Sequence, residues 1–242
     1  MTKLQFEDTE DIKISKGVFD RRTLLTLHNL INKKKIKSVD TILKEGKESN
    51  VFLGKDHSNN PIAIKIYRIE SCNFKNMWKY LIGDNRFRTV KKDKYFVVNL
   101  WCQREFKNMT LAYNANVDVP RPIFCKDNVL VMEFIGDGNF PAPRLIELRT
   151  DGNSLYKKIV KDVRKLAKIG LVHGDLSAYN ILIHEKPYII DLSHGMMLSN
   201  NESFDLLKRD IQNINKYFSK MGVKTINEEK IIHEIVKERD QK

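Results

Sequence analysis

Residues 171–183 read LVHGDLSAYNILI, and residues 187–195 read PYIIDLSHG. Asp175, Asn180 and Asp191 stand in these stretches as Asp, four residues, Asn, ten residues, Asp, with short apolar runs between them. The set supplies one carboxylate able to accept a hydroxyl proton or orient a nucleophile, one amide oxygen and a second carboxylate. Amide and carboxylate oxygens are the hard donors that Mg2+ prefers, usually completed by substrate phosphates. The pattern points to phosphoryl transfer from a nucleotide–metal complex. Asx chemistry in turns is the competing reading, and the apolar strands between the three residues make it the weaker one. His173 is expected to orient backbone rather than titrate.

Working outward, the run PIAIKIY (61–67) alternates Ile62, Ile64 and Ile66 on one strand face with Ala63, Lys65 and Tyr67 on the other. Taken alone, Lys65 could snorkel to solvent. Small Ala63 beside it suits a flat base. In the helix expected over 97–113, Val98, Trp101, Glu105, Met109 and Ala112 recur at helical spacing, so Glu105 sits inside an apolar stripe. A carboxylate there needs a cation, and Lys65 is the natural partner. The turn GKESNVF (46–52) lacks both G-x-G-x-x-G and the Walker pattern. Its Ser49 and Asn50 could hold a phosphate, although an ordinary turn explains the same residues.

Organisation along the chain follows from periodicity. Residues 1–18 are expected to form a loosely held arm. Residues 20–37, DRRTLLTLHNLINKKKIK, set Leu24, Leu27, Leu30 and Ile31 on one face of a helix that ends in a basic run. Strands are expected at 50–53 and 62–67, flanking DHSNNP as a hairpin. A short helix near Phe74–Leu81 leads into a mobile basic loop carrying Arg86, Arg88, Lys91, Lys92 and Lys94. Strands follow near 122–125 and 129–134, then a helix over 154–169 with Leu155, Ile159, Val163 and Leu166 inward, a strand pair at 181–183 and 188–191, and helices near 203–220 and 227–240. This gives an α+β chain with a β-rich first lobe and a helical second lobe, meeting near 135–145.

The chain has 242 residues, 41% hydrophobic, and a formal net charge of +12. Such a balance favours polyanions, RNA or DNA first, against the bland alternative of a solvated basic surface. Cys72, Cys102 and Cys125 form no Cys-x-x-Cys pair, so neither a disulfide framework nor structural zinc follows, and a reducing compartment fits. No signal peptide is expected in the charged N-terminus, and no apolar run approaches a membrane span.

Taken together, GVFDRRTL, GKESNVF, AIKIYRIESCNFKNMWKYLIGDNRF, REFKNM, VPRPI, VLVMEFIG, PAPRL, LVHGDLSAYNILI and PYIIDLSHG resemble the RIO family of atypical protein kinases, most closely its first subfamily and the archaeal members. The resemblance runs from about residue 18 to 225. It implies a two-lobed protein-kinase-like fold with a reduced C-lobe that lacks an activation segment and a peptide-docking subdomain. The division expected is an arm and amphipathic helix at 1–40, then a RIO kinase domain at 41–242, with its N-lobe at 41–135 and C-lobe at 136–242. The winged helix of the second subfamily is not expected, because only about forty residues precede the phosphate turn.

The same resemblance implies ATP and Mg2+ as cofactors, with Mn2+ a second candidate. Lys65 would hold the ATP phosphates, with Glu105 as its ion-pair partner and Ser49 beside them. Glu133 and Ile135 would meet adenine through backbone atoms, with Met132 behind them. Asp175 would be the catalytic aspartate. Asn180 and Asp191 would bind the metal, and Asp191 could also accept phosphate. The chain departs from ordinary kinases in carrying DLS for D-F-G, and no A-P-E follows Asp191. Family members autophosphorylate on serine near the flexible loop, but residues 84–94 contain no serine, only Thr89.

Three readings are weighed. The first is an ATP-dependent RIO-type serine/threonine kinase and/or ATPase in the cytoplasm, acting on the small ribosomal subunit precursor and its rRNA. The second is a small-molecule phosphotransferase of the aminoglycoside or choline kinase type, which shares H-G-D-x-x-x-x-N. The third is a non-enzymatic RNA-binding assembly factor. The presence of all five chemical residues disfavours the third, and the 68–95 segment disfavours the second.

Overall fold

The alternation in PIAIKIY sorts the N-terminal half into two layers. The computed structural model describes residues 19–87, 89–148, 152–200 and 202–240, so the expected 1–18 arm lies outside the described residues. Strands β1 (Ser38–Lys44), β2 (Ser49–Lys55), β3 (Pro61–Tyr67), β4 (Pro122–Lys126) and β5 (Val129–Glu133) form one antiparallel sheet in the order β1-β2-β3-β5-β4. Ile62, Ile64 and Ile66 pack with Phe52, Val129 and Val131 against Leu27, Leu30 and Ile36, contributed by helix α1 (Arg21–Asn32) and the turn after it. On the opposite face, Ala63 and Tyr67 join the main core with Trp101, Met109 and Ala112 of helix α3 (Lys94–Asn114). Helix α2 (Phe74–Ile82) lies against α3.

The second lobe contains α4 (Gly152–Lys168), α5 (Ser203–Lys220) and α6 (Glu228–Asp240). Its strands are short and paired: β6 (Gly136–Asp137) with β7 (Phe140–Pro141), β8 (Leu171–Val172) with β11 (Met196–Met197), and β9 (Ile181–Ile183) with β10 (Pro187–Ile189). Among the described residues, no helix is long and apolar enough to cross a membrane.

Five sequence expectations need correction. In α1 the buried residues are Thr23, Thr26, Leu27 and Leu30, while Leu24 and Ile31 are half-buried. The helix is rotated because Thr26 Oγ1 donates to Asp127 (2.9 Å) and Asn128 Nδ2 donates to Thr23 Oγ1 (2.8 Å), which ties α1 to the β4–β5 turn. The helix stops at Asn32, and the lysine run forms a turn in which Lys34 has φ 54°. β1 was not expected; no residue along it is fully buried, so it carries no alternation signal.

The segment expected as a mobile basic loop begins as packed structure. Arg86 Nε and Nη2 donate to Asp84 (2.8 and 2.6 Å), and Phe87 is buried. Helix α3 starts at Lys94, three residues before the expected position, because Asp93 caps it by accepting from the Phe96 amide at 2.8 Å.

Candidate active site

Lys65 does not snorkel. Its side chain is 6% exposed, and Nζ donates to Glu105 Oε1 at 2.8 Å and to Asp191 Oδ1 at 2.9 Å. The Tyr67 hydroxyl donates to the other oxygen of Glu105, which fixes that carboxylate from two sides. Burial alone would lower Lys65, but the Asp191 and Glu105 carboxylates overcome it and raise the ammonium well above its usual value. Burial pushes Glu105 up, and Lys65 offsets part of that rise. Asp191 goes the other way: burial would raise it, yet the Lys65 ammonium and the Ser193 hydroxyl hold it well below the ordinary carboxylate range.

Asp191 follows β10 and Ile190 and sits in the left-handed region at φ 63°, a conformation that aspartate tolerates better than most residues. Oδ1 takes both Lys65 and the Ser193 hydroxyl (2.8 Å). Among the described residues Oδ2 has no partner, and the side chain is 38% exposed into the cleft.

The loop before it is built from backbone contacts. The Asp175 amide donates to His173 Nδ1 (3.2 Å), and His173 Nε2 meets the Ile190 carbonyl at 3.0 Å. Those roles require a neutral imidazole carrying its proton on Nε2. His173 is a buried splint between the Asp175 loop and the strand that leads to Asp191. Asn180 Nδ2 donates to the Asp175 carbonyl (2.9 Å), and the Asn180 carbonyl accepts from Ile190 N (3.0 Å). The Asn180 side-chain oxygen is therefore the atom left for a ligand, while Asp175 is exposed.

Lys65, Glu105 and Asp191 thus meet directly, and Asp175 pairs with Asn180. Ile190 links the two groups. Lys65, Glu105 and Asp191 line a cleft of about 580 Å³ whose apolar wall is made by Leu43, Val51, Ala63, Met132, Leu182 and Ile190, a cavity of ligand size; Asp175 and Asn180 stand outside its lining. At its back edge the Ile135 carbonyl accepts from Ala142 N (2.9 Å), and among the described residues the Ile135 amide has no partner. The Glu133 side chain accepts from Arg121 N (2.9 Å). Ser49 and Lys65 line the same cleft. A second cavity, about 610 Å³, holds none of Lys65, Glu105 or Asp191 and is not this site.

Two neighbours, Asp210 and Lys44, escaped sequence reasoning. Asp210 is buried and accepts from Gly174 N (2.7 Å) and Leu176 N (2.8 Å), which pins both sides of Asp175. Its signal was present: it lies in the apolar stripe Leu207, Ile211, Ile214 of α5, as Glu105 does in α3. Asn50, noted in the sequence, is buried and closes the 46–50 turn by accepting from Gly46 N at 3.2 Å. Lys44 lines the cleft half-buried; desolvation and then Arg144 lower its pKa. Gly174 has φ +81°, and a Cβ there would sit 2.7 Å from the His194 carbonyl, so the turn into Asp175 requires glycine.

The fold and this cleft define a two-lobed protein-kinase-like chain with a reduced C-lobe. A crystal structure of the Rio2 kinase–ADP/Mg2+–phosphoaspartate complex from Chaetomium thermophilum superposes with TM-score 0.69 at 24% identity, covering 88% of this chain and 66% of that one. The RIO domain model matches residues 50–231. The RIO-type serine/threonine-protein kinase Rio1 of Haloferax volcanii is 36% identical over 222 residues, 91% of this chain and 77% of that protein. The Rio1 of Methanocaldococcus jannaschii is 37% identical over 217 residues, 88% and 74% respectively. The chain belongs to the RIO family, with its archaeal Rio1 members among its relatives. It spans about half of the serine/threonine-protein kinase RIO1 of Chaetomium thermophilum (48%), to which it is 33% identical.

Proposed function

We propose that the chain is an ATP-dependent RIO-type serine/threonine protein kinase that also turns over ATP as an ATPase, and that it works on the small ribosomal subunit precursor and its rRNA in the cytoplasm. The observation that carries the chemistry is the buried Lys65 ammonium held between Glu105 and Asp191 on the wall of a nucleotide-sized cleft. The names of the Rio1 relatives support protein-kinase activity, and the +12 charge supports a polyanionic partner.

The donor set fits Mg2+. Asn180 and Asp191 each offer one hard oxygen, and among the described residues no group of three or more acidic, His or Cys side chains forms a closed cage. That is the arrangement of a cation that relies on substrate phosphates for its remaining ligands. Bound Mg2+, or Mn2+ in its place, would neutralise phosphate charge, with Asn180 and Asp191 holding it.

The residues of the chain do the rest. Lys65 donates to phosphate oxygens, and Glu105 and Tyr67 keep it aimed. The Ile135 amide and the Glu133 carbonyl meet the adenine edge against Met132, while Ser49 approaches the phosphates. Asp175, held by Asn180, His173 and Asp210, accepts the proton of an acceptor hydroxyl. Asp191 is a second acceptor: its carboxylate attacks the terminal phosphorus, ADP leaves, and water then hydrolyses the acyl phosphate to carboxylate and inorganic phosphate. A phosphoaspartate is named for the Rio2 complex, and with Oδ1 of Asp191 taken by Lys65 and Ser193, Oδ2 is the oxygen left to play that role.

The test is ATP turnover with and without purified small ribosomal subunits, run beside aminoglycoside and choline acceptors. Subunit-responsive turnover with no small-molecule product is expected. A phosphorylated aminoglycoside or choline at a higher rate would overturn the reading.

A further inference from the structure

The loop 191–195 turns sharply, and its carbonyls need donors. They find them on one face of α3. Asn108 Nδ2 donates to Leu192 O (2.8 Å) and Gly195 O (3.1 Å), and Arg104 Nη1 donates to Ser193 O (2.6 Å). Both side chains are buried, Arg104 at 1% and Asn108 at 0% exposure. The packing is tight: a Cβ on Gly195 would lie 2.7 Å from Asn108 Nδ2. Glu105 stands beside Arg104, so the helix that orients Lys65 also fixes the loop that carries Asp191.

Those two side chains are themselves oriented from outside the helix. Asp84 Oδ2 accepts from Arg104 Nε (3.1 Å), giving a buried guanidinium its counter-charge. Arg86 grips Asp84 through Nε and Nη2, and its Nη1 donates to Asn108 Oδ1 at 2.8 Å. That last bond sets the sense of the amide. With Oδ1 committed to Arg86, Nδ2 must face the loop; reversed, the amide would point an oxygen at two carbonyls.

We infer that Asp84 and Arg86 are positioning residues for Asp191, acting through Arg104 and Asn108. The segment between β3 and α3 then serves as a brace for the cation-holding loop. This inference rests on the reading of Asp191 as a Mg2+-holding residue. The brace bonds the loop's backbone and, among the described residues, makes no hydrogen bond to Lys65, so it should act chiefly on the Mg2+-dependent part of nucleotide binding.

The experiment is calorimetric titration of ADP with and without Mg2+ on the full chain, alongside thermal unfolding and the Mg2+ dependence of turnover. Arg86→Met cuts the outer link at a side chain that is 21% exposed, and Arg104 remains as a counter-charge for Asp84. Asn108→Asp keeps an acceptor for Arg86 but removes the donor facing the loop. In each variant ADP affinity without Mg2+ should stay within about twofold, while the gain on adding Mg2+ falls roughly 10-fold, the usual effect of losing a support behind a metal ligand. The Mg2+ concentration for half-maximal turnover should rise by a similar factor. Arg86 supports Asn108 directly and Arg104 through Asp84, so the double variant should lose at least as much as Asn108→Asp alone. An unchanged Mg2+ gain in a folded Arg86→Met or Asn108→Asp protein overturns the inference. So does an equal loss of ADP affinity with and without Mg2+, which marks general damage. If the unaltered chain binds ADP but gains nothing from Mg2+, the underlying reading fails and the inference with it.

Discussion

Replacing Lys65 by Met should destabilise the protein in a way that depends on pH. The side chain is buried between Glu105, 1% exposed, and Asp191, 38% exposed. Asp191 can be rehydrated from the cleft, so the loss concentrates on Glu105, which keeps only the Tyr67 hydroxyl. Breaking a buried pair costs about 3–5 kcal/mol, and the open cleft argues for the lower end, about 3 kcal/mol. For a chain of this length that is a fall of roughly 6–12 °C in Tm. Burial already raises Glu105 against the pull of Lys65, and removing Lys65 raises it further. A carboxylate raised in the folded state favours folding when protonated and loses that contribution as pH rises. The deficit should therefore be largest near pH 8 and shrink toward pH 5. Lys65→Met with Glu105→Leu removes the stranded carboxylate and should be more stable than Lys65→Met at pH 8 by about 1–2 kcal/mol, held back by an unpartnered Tyr67 hydroxyl. Adding Tyr67→Phe should recover more. Urea unfolding of the nucleotide-free proteins at both pH values reads all of this. A gap that does not change with pH, or a double variant no more stable than the single one, would refute the reasoning.

Four further outcomes are expected. Asp175→Asn should bind ADP normally while turnover falls ~10²–10⁴-fold, measured by phosphate release. Asp210→Asn offers one acceptor where two amides point, so stability should fall by about 1–3 kcal/mol and turnover should drop with ADP affinity unchanged. Burial would raise Asp84, but the Arg86 guanidinium wins and lowers it; its contribution is present above the unfolded value of about 3.9 and lost as pH falls. Asp84→Asn should accordingly be much less stable than the unaltered chain at pH 7, and the urea-unfolding gap should close toward pH 3. Replacing exposed Lys33, Lys34, Lys35, Lys91 and Lys92 with serine should flatten the log–log salt dependence of small-subunit binding by roughly 0.7–0.9 for each phosphate no longer neutralised, with ADP binding unchanged.

What the sequence disclosed depended on whether a residue broke its local pattern. Strict alternation in PIAIKIY separated the sheet faces and singled out Lys65. A carboxylate in an apolar helical stripe singled out Glu105, and the same logic applied to α5 would have found Asp210. The stretches around Asp175, Asn180 and Asp191 stood out because Asx residues between short apolar strands have few structural uses. β1 was not legible, since none of its residues is fully buried. The rotation of α1 was hidden because two threonines outcompete leucines for the buried side through bonds to residues about a hundred positions away. Arg86 resembled one more free cation in a basic run. Its partners are an aspartate two residues back and an asparagine on the next helix, and only the folded arrangement brings them together.

The central claim is that Asp191, poised beside Lys65, is required for phosphoryl transfer from ATP. It is tested most directly by incubating γ-labelled ATP and Mg2+ with the unaltered chain and with Asp191→Asn, then following labelled phosphate released or bound to protein. The account predicts measurable turnover by the unaltered chain and a loss of at least ~10²-fold in a variant whose unfolding curve shows it folded. Near-equal turnover by the two proteins would contradict it.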